Sequence, residues 1–307
     1  MKTLVENGIT TVVGCLGTDD VCRDMKSLIA KVNELEENGI TCYCYTGSYD
    51  IPVNTLMKSI KEDIILIDKI IGVGEIALSD HRSTQPTYEE FARVVAQCRV
   101  AGLLSGKAGI VDIHLGDGKR KLEYLFKLIE ETEITPTQLL PTHINRSRDL
   151  LDEGIIYAKK NGNLDMTTSC DPEHLEPEEL RASEALAYVL NKGVNIERIT
   201  FSSDGNGSLP IFENGKLLSL GICKVESLFN EVKEAVSKYS IPLETAIKVI
   251  TSNVAEILKL KHKGYIMERK DADLVIVNEE ELDIDMVIAK GKVIVEKGKT
   301  CIDINFS

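Results

Sequence analysis

No window of this 307-residue chain approaches the roughly 18 apolar residues that a membrane span needs. The N-terminus, MKTLVENGITTVVG, lacks the uninterrupted apolar stretch of a secretory signal. Basic residues are outnumbered, with 36 Lys and Arg against 49 Asp and Glu, a net charge of -13. The basic face that phosphate binding requires is therefore missing, and nucleic acid is not expected as a partner. None of the eight cysteines (Cys15, Cys22, Cys42, Cys44, Cys98, Cys170, Cys223, Cys301) forms a C-x-x-C pair. Reduced, buried thiols in a cytoplasmic protein are expected. Histidine is scarce, with only His81, His114, His143, His174 and His262, and no His-x-His pair occurs. Neither an internal repeat nor a low-complexity segment is present.

Short runs rich in β-branched residues alternate with helix-period segments as far as residue 205, the pattern of a parallel sheet with crossover helices. Seven strands are predicted, over 9–17, 40–48, 70–79, 109–116, 138–145, 164–170 and 199–205. Helices are predicted between them, several with a glycine C-cap such as the one ending YEEFARVVAQCRVAG. The initial MKTLVEN also reads as a helix, and two more follow the seventh strand. From residue 263 onward, alternating strands with glycine-containing turns form a small β-appendage. The fold expected is a TIM-like (β/α)8 barrel one strand short of closure over residues 1–262, with a C-terminal β-segment at 263–307.

His114, His143 and Asp204 stand at carboxyl ends of predicted strands, in IVDIHLGDG, LLPTHINR and ITFSSDGNG. In a β/α barrel those ends face the mouth where active sites are built. Imidazole and carboxylate are ligands for Zn²⁺ or a similar ion, and metal-assisted hydrolysis is the natural reaction. A single buried histidine is more often a hydrogen-bonded core residue, so it is the pair of equivalent positions that points to a metal. Lys107 precedes its strand and should face the barrel floor. His174 and His262 lie in polar stretches and should be exposed.

LGTDD, TGSYDIP, SDHRS, HLGDGK, LPTHINR and SSDGNGS together resemble the isoaspartyl (β-aspartyl) dipeptidases of the amidohydrolase superfamily, and the resemblance covers essentially the whole chain. It implies a zinc hydrolase of isoaspartyl dipeptides, two metals per complete site and a homo-oligomer. By resemblance His114 and His143 are metal ligands, and Asp204 binds the other metal and shuttles the proton. Tyr49 would polarise the scissile carbonyl, while Thr18, Arg82, Arg146 and Ser208 match substrate-holding positions. Guanidinium groups suit a dipeptide's planar carboxylates. Without the resemblance, Arg82 and Arg146 read first as solvated loop charges, and Tyr49 reads equally well as turn chemistry or as a site residue.

Two departures stand out. Where the family usually carries a carboxylated lysine, this chain has Glu75 in GVGEIALSDHR. Its side chain reaches roughly 4 Å less far, and it is expected to bridge the metals directly. The His-x-His strand and its glycine-rich loop are also missing. One metal or none is then expected, with an open edge beside ITTVVGCLG, in a fragment or start-site version of a dipeptidase. The alternatives are a catalytically inactive scaffold and another cyclic-amide amidohydrolase of the dihydroorotase or hydantoinase kind.

Overall fold

The computed structural model describes residues 1–169, 178–213 and 216–301. Cys170 and His174 lie outside the described residues. All seven predicted β/α strands are present: β1 (Thr11–Gly14), β2 (Thr41–Thr46), β3 (Ile70–Leu78), β4 (Ile110–Leu115), β5 (Leu139–Thr142), β6 (Leu164–Thr167) and β7 (Ile199–Ser202). The first five make one parallel sheet in chain order, and β6 and β7 make a parallel pair. The Ile144 N–H donates to the Asp165 carbonyl at 3.2 Å and links β5 to β6, so the strands curl into a partial barrel. Around them run α1 (Lys2–Glu6), α2 (Met25–Glu37), α3 (Ile60–Leu66), α4 (Tyr88–Ser105), α5 (Glu123–Glu131), α6 (Arg148–Lys159) and α7 (Ala182–Asn191).

Strand position decides burial. All nine residues of the central β3 are buried, whereas the four of β1, which has a strand neighbour on one side only, are half-buried. Glycines in β3 let β4 come close: a Cβ on Gly74 would lie 2.7 Å from Asp112 Cβ. Between β1 and β7 a cleft of about 1820 Å³ opens. Cys15, just after β1, is exposed, which corrects the expectation of a buried thiol there; Cys42, Cys44, Cys98 and Cys223 are buried and free. The edge position of β1 explains the difference, because among the described residues no strand pairs with its far side.

Helix α4 starts at a capping box in which Thr87 and Glu90 satisfy each other's backbone N–H groups. It runs through Gly102, the predicted stop, and ends at Gly106 in the left-handed conformation. Gly102 serves close packing instead, since a Cβ there would lie 2.7 Å from Gly109 Cα. After β7 the structure adds an antiparallel hairpin, β8 (Ser208–Glu213) and β9 (Lys216–Ile222), which was not among the predicted strands. Helix α8 (Ser227–Ser237) follows, and the last predicted helix is broken into α9 (Leu243–Ala246), a 3-10 turn (Ile247–Ile250) and α10 (Ser252–Ile257). Four antiparallel strands close the chain: β10 (Leu274–Val277), β11 (Ile284–Ala289), β12 (Lys292–Glu296) and β13 (Lys299–Thr300). Lys290-Gly291 and Lys297-Gly298 join β11 to β12 and β12 to β13 with positive φ at both turn residues, the twist that two-residue hairpins favour.

Candidate metal centre

Parallel pairing of β3 with β4 and of β4 with β5 aligns their C-terminal ends, and three side chains converge there. Glu75 comes from β3, His114 from β4 and His143 from the residue after β5. All three are buried, and one ligand atom from each lies within 4.8 Å of the others. Glu75 Oε1 sits 3.2 Å from His114 Nδ1 and 3.0 Å from His143 Nε2, so its side chain turns toward both histidines.

Each ring also has polar partners on its outer face, and His114 Nε2 has two, Asp80 Oδ2 and, at 2.9 Å, Arg82 Nη2. His114 Nε2 lies 3.0 Å from Asp80 Oδ2, a carboxylate that can only accept. His143 Nδ1 faces the Thr167 hydroxyl. Assigning the protons to those outer nitrogens leaves His114 Nδ1 and His143 Nε2 with lone pairs aimed at the same point as the Glu75 carboxylate. Two imidazole nitrogens and a carboxylate oxygen, with outer partners that orient the rings, fit a divalent cation such as zinc.

The electrostatics agree. Burial raises the carboxyl pKa of Glu75, but its close contacts with the His114 and His143 rings outweigh it and hold the group well below its usual range. Burial and the neighbouring His114 push His143 down to about 4, so it stays a neutral imidazole at pH 7. Asp204 moves the other way, raised to about 7 by burial and then by the charge of Glu75. Asp80 is desolvated too, yet its bonds to His114 and Arg82 hold it far below the ordinary value.

The other predicted residues divide into two groups. Tyr49 is in the cluster: it is buried, its hydroxyl lies 2.8 Å from His114 Nδ1, and their rings are 4.5 Å apart. Arg82 is also at the site, chelating Asp80 through Nε at 3.0 Å and Nη2 at 2.7 Å, and Arg146 Nη1 stands 3.7 Å from the same carboxylate. Asp204 lines the shared cleft but stays outside the three-donor cluster, its carboxylate facing the Cys223 thiol at 3.8 Å. Thr18 and Ser208 are exposed, one in the loop after β1 and the other opening β8. Lys107 is at the floor, donating to the carbonyls of Ile64, Ile67 and Ile70. Sequence reasoning passed over Asp80, although SDHR contains it, as well as Thr167 and the buried Asp112 and Asp165.

The amidohydrolase family model matches residues 1–294. The structure of a β-aspartyl dipeptidase from Fervidobacterium islandicum AW-1, in complex with β-Asp-Leu dipeptide, is 43% identical with a TM-score of 0.91; the match covers 99% of this chain and 79% of that one. A second structure of that dipeptidase is 41% identical with a TM-score of 0.89, covering 99% and 77%. A D-hydantoinase, 15% identical at a TM-score of 0.63 over 98% of this chain and 80% of that one, shares the fold alone. Adenine deaminase 1 of Carboxydothermus hydrogenoformans is 26% identical over 123 residues, 40% of this chain but only 18% of the deaminase. A family match over nearly the whole length, on a barrel whose strand ends assemble a ligand set for a metal, leaves one conclusion: this chain belongs to the amidohydrolase family.

Proposed function

We propose that the protein hydrolyses isoaspartyl dipeptides with zinc held by Glu75, His114 and His143. The observation that carries this reading is the convergence of those three donors beside Tyr49 and Arg82, in a chain 43% identical to a β-aspartyl dipeptidase. When bound, the cation supplies Lewis acidity to the scissile carbonyl and an acidified water as nucleophile. The remaining roles fall to the chain's own groups. Asp204, with a carboxyl near neutrality, takes a proton from the attacking water and returns it to the leaving amine. The Tyr49 hydroxyl, kept protonated by burial, donates to the developing oxyanion. Arg82 and Arg146, half-exposed beside Asp80, present planar guanidinium groups to the substrate's carboxylate.

Thr18 and Ser208, both exposed, are read as outer contacts to the dipeptide. Residues 1–262 make the catalytic unit and 263–307 an appended β-segment. Because Asp204 stands apart from the trio, one zinc is the expected load of the described residues. Free thiols at all seven described cysteines fit a reducing, cytoplasmic setting. No described helix is long and apolar enough to cross a membrane.

The test is an assay of the purified chain on β-Asp-Leu with zinc counted per chain. Release of aspartate and leucine that vanishes with chelation and returns with zinc is expected. A zinc-loaded chain inert toward β-Asp-Leu would sink the reading.

A further inference from the structure

Asp80 is held at the rim of the site by the turn after β3, and its side chain is only 1% exposed. A carboxylate so buried is costly unless every lone pair is used, and here they are. Oδ1 accepts from the Arg82 backbone N–H at 2.7 Å and from Arg82 Nε at 3.0 Å. Oδ2 accepts from Arg82 Nη2 at 2.7 Å and lies 3.0 Å from His114 Nε2, with Arg146 Nη1 at 3.7 Å; Arg82 Nη2 itself stands 2.9 Å from His114 Nε2. The register Ala77↔His114 between β3 and β4 brings the turn at Asp80 over the end of β4, which is how one loop residue reaches all these groups.

We propose that Asp80 is a positioning residue shared by the two halves of the site. On one side it accepts the Nε2 proton of His114, so that Nδ1 faces the metal position. On the other it clamps the Arg82 guanidinium in a two-pronged grip, leaving the outer edge of that group for substrate. The charges are consistent with this. Two guanidinium groups share one carboxylate, which leaves a net single positive charge to meet one carboxylate of a dipeptide. The substrate side rests on the dipeptidase reading; the His114 side does not.

Three measurements on the full chain decide the matter. Nitrogen-15 spectra of the metal-free wild type should show His114 as the Nε2–H tautomer, and Asp80→Asn should shift it toward Nδ1–H. A chelator competition with zinc alone should show affinity about 10- to 100-fold weaker in Asp80→Asn, the usual consequence of losing a ligand's outer partner. In zinc-loaded protein, KM for β-Asp-Leu should rise about tenfold or more in Asp80→Asn, as expected when a charged hydrogen bond is lost. Arg82→Lys should raise KM similarly with zinc affinity within about twofold of wild type. A wild-type Nδ1–H tautomer overturns the proposal and needs no variant to fold. Zinc affinity unchanged in a folded Asp80→Asn overturns it as well. A wild type that fails to cleave β-Asp-Leu would defeat the dipeptidase reading alone, because the tautomer and zinc measurements need no turnover.

Discussion

The floor and the mouth of the barrel both bury charge, but in opposite ways. At the floor, cations end in complete sets of acceptors. Lys107 donates to three backbone carbonyls, at 2.6 Å, 2.6 Å and 3.1 Å, and Lys263 is held by Asp271 at 2.8 Å, Asp273 and Thr41. At the mouth, Glu75, His114 and His143 turn one ligand atom each toward one another, and the outer ring nitrogens face Asp80 and Thr167. A closed set of donors and acceptors contributes stability. A cluster of lone pairs around a shared point calls for a cation and contributes function.

Breaking the mouth should therefore affect chemistry before stability. Glu75→Ala removes the only carboxylate in the three-donor cluster, and zinc should be lost on dialysis. Hydrolysis of β-Asp-Leu should then fall by more than about 10⁴-fold, the upper end of what a single catalytic group contributes. Full zinc content in that variant, counted by atomic absorption, would rule Glu75 out as a ligand. Next in size is Asp204→Asn, expected to lower kcat by about 10² to 10⁴ while zinc stays bound, since the loss is of a proton shuttle. Tyr49→Phe should follow, with kcat down about 10²- to 10³-fold and thermal midpoint and zinc content nearly unchanged. A variant that instead raised only KM would assign Tyr49 to substrate binding.

How far the sequence carries depends on whether a contact is local. The β-branched runs locate all seven barrel strands, and the two histidines at strand ends point to a metal before any coordinate is known. Asp80 was missed although its main partner Arg82 is two residues away, because its approach to His114, which ties it to the site, is made only by sheet register. Helix α3, among the helices expected between the strands, has only a local signal, a Ser59 cap with Glu62 three residues on, in a segment too short to show a helical period. The β8–β9 hairpin, for which no strand was predicted, has an Asn-Gly signal in FENGK. Asp112 and Asp165 look from sequence like interruptions of apolar strands. They are inward-facing polar groups of the barrel, made tolerable by neutralisation or by hydroxyl partners.

Asp165 sharpens the comparison, because it is a mouth-side carboxyl kept without a cation. Burial raises it to about 6, against the pull of hydrogen bonds from Ser202, Thr200 and Thr142. Its folded pKa lies above the unfolded value, so its contribution to stability is complete below about pH 4 and is lost as pH rises through 6. Roughly two pKa units correspond to at most about 3 kcal/mol. Asp165→Asn mimics the neutral form. Denaturant unfolding of metal-free protein should show the variant gaining on wild type as pH rises from 4 to 7. A gap independent of pH would mean the carboxyl is ionised in the folded state throughout.

The smallest effect belongs to the floor. Lys263 is 8% exposed, and its ammonium joins the segment before β10 to the start of β2 through Thr41. Lys263→Met preserves most of the volume but leaves Asp273 without its cation. Asp271 is itself 40% exposed and can turn to water. The loss should therefore be about 2 kcal/mol, the scale of hydrogen bonds to charged groups and less than a fully buried pair would give. Zinc affinity and kcat should be unchanged, because no hydrogen bond from Lys263 reaches the mouth. A parallel fall in zinc affinity would show that the two ends of the barrel share one energetic unit, and the contrast between a stabilising floor and a functional mouth would no longer hold.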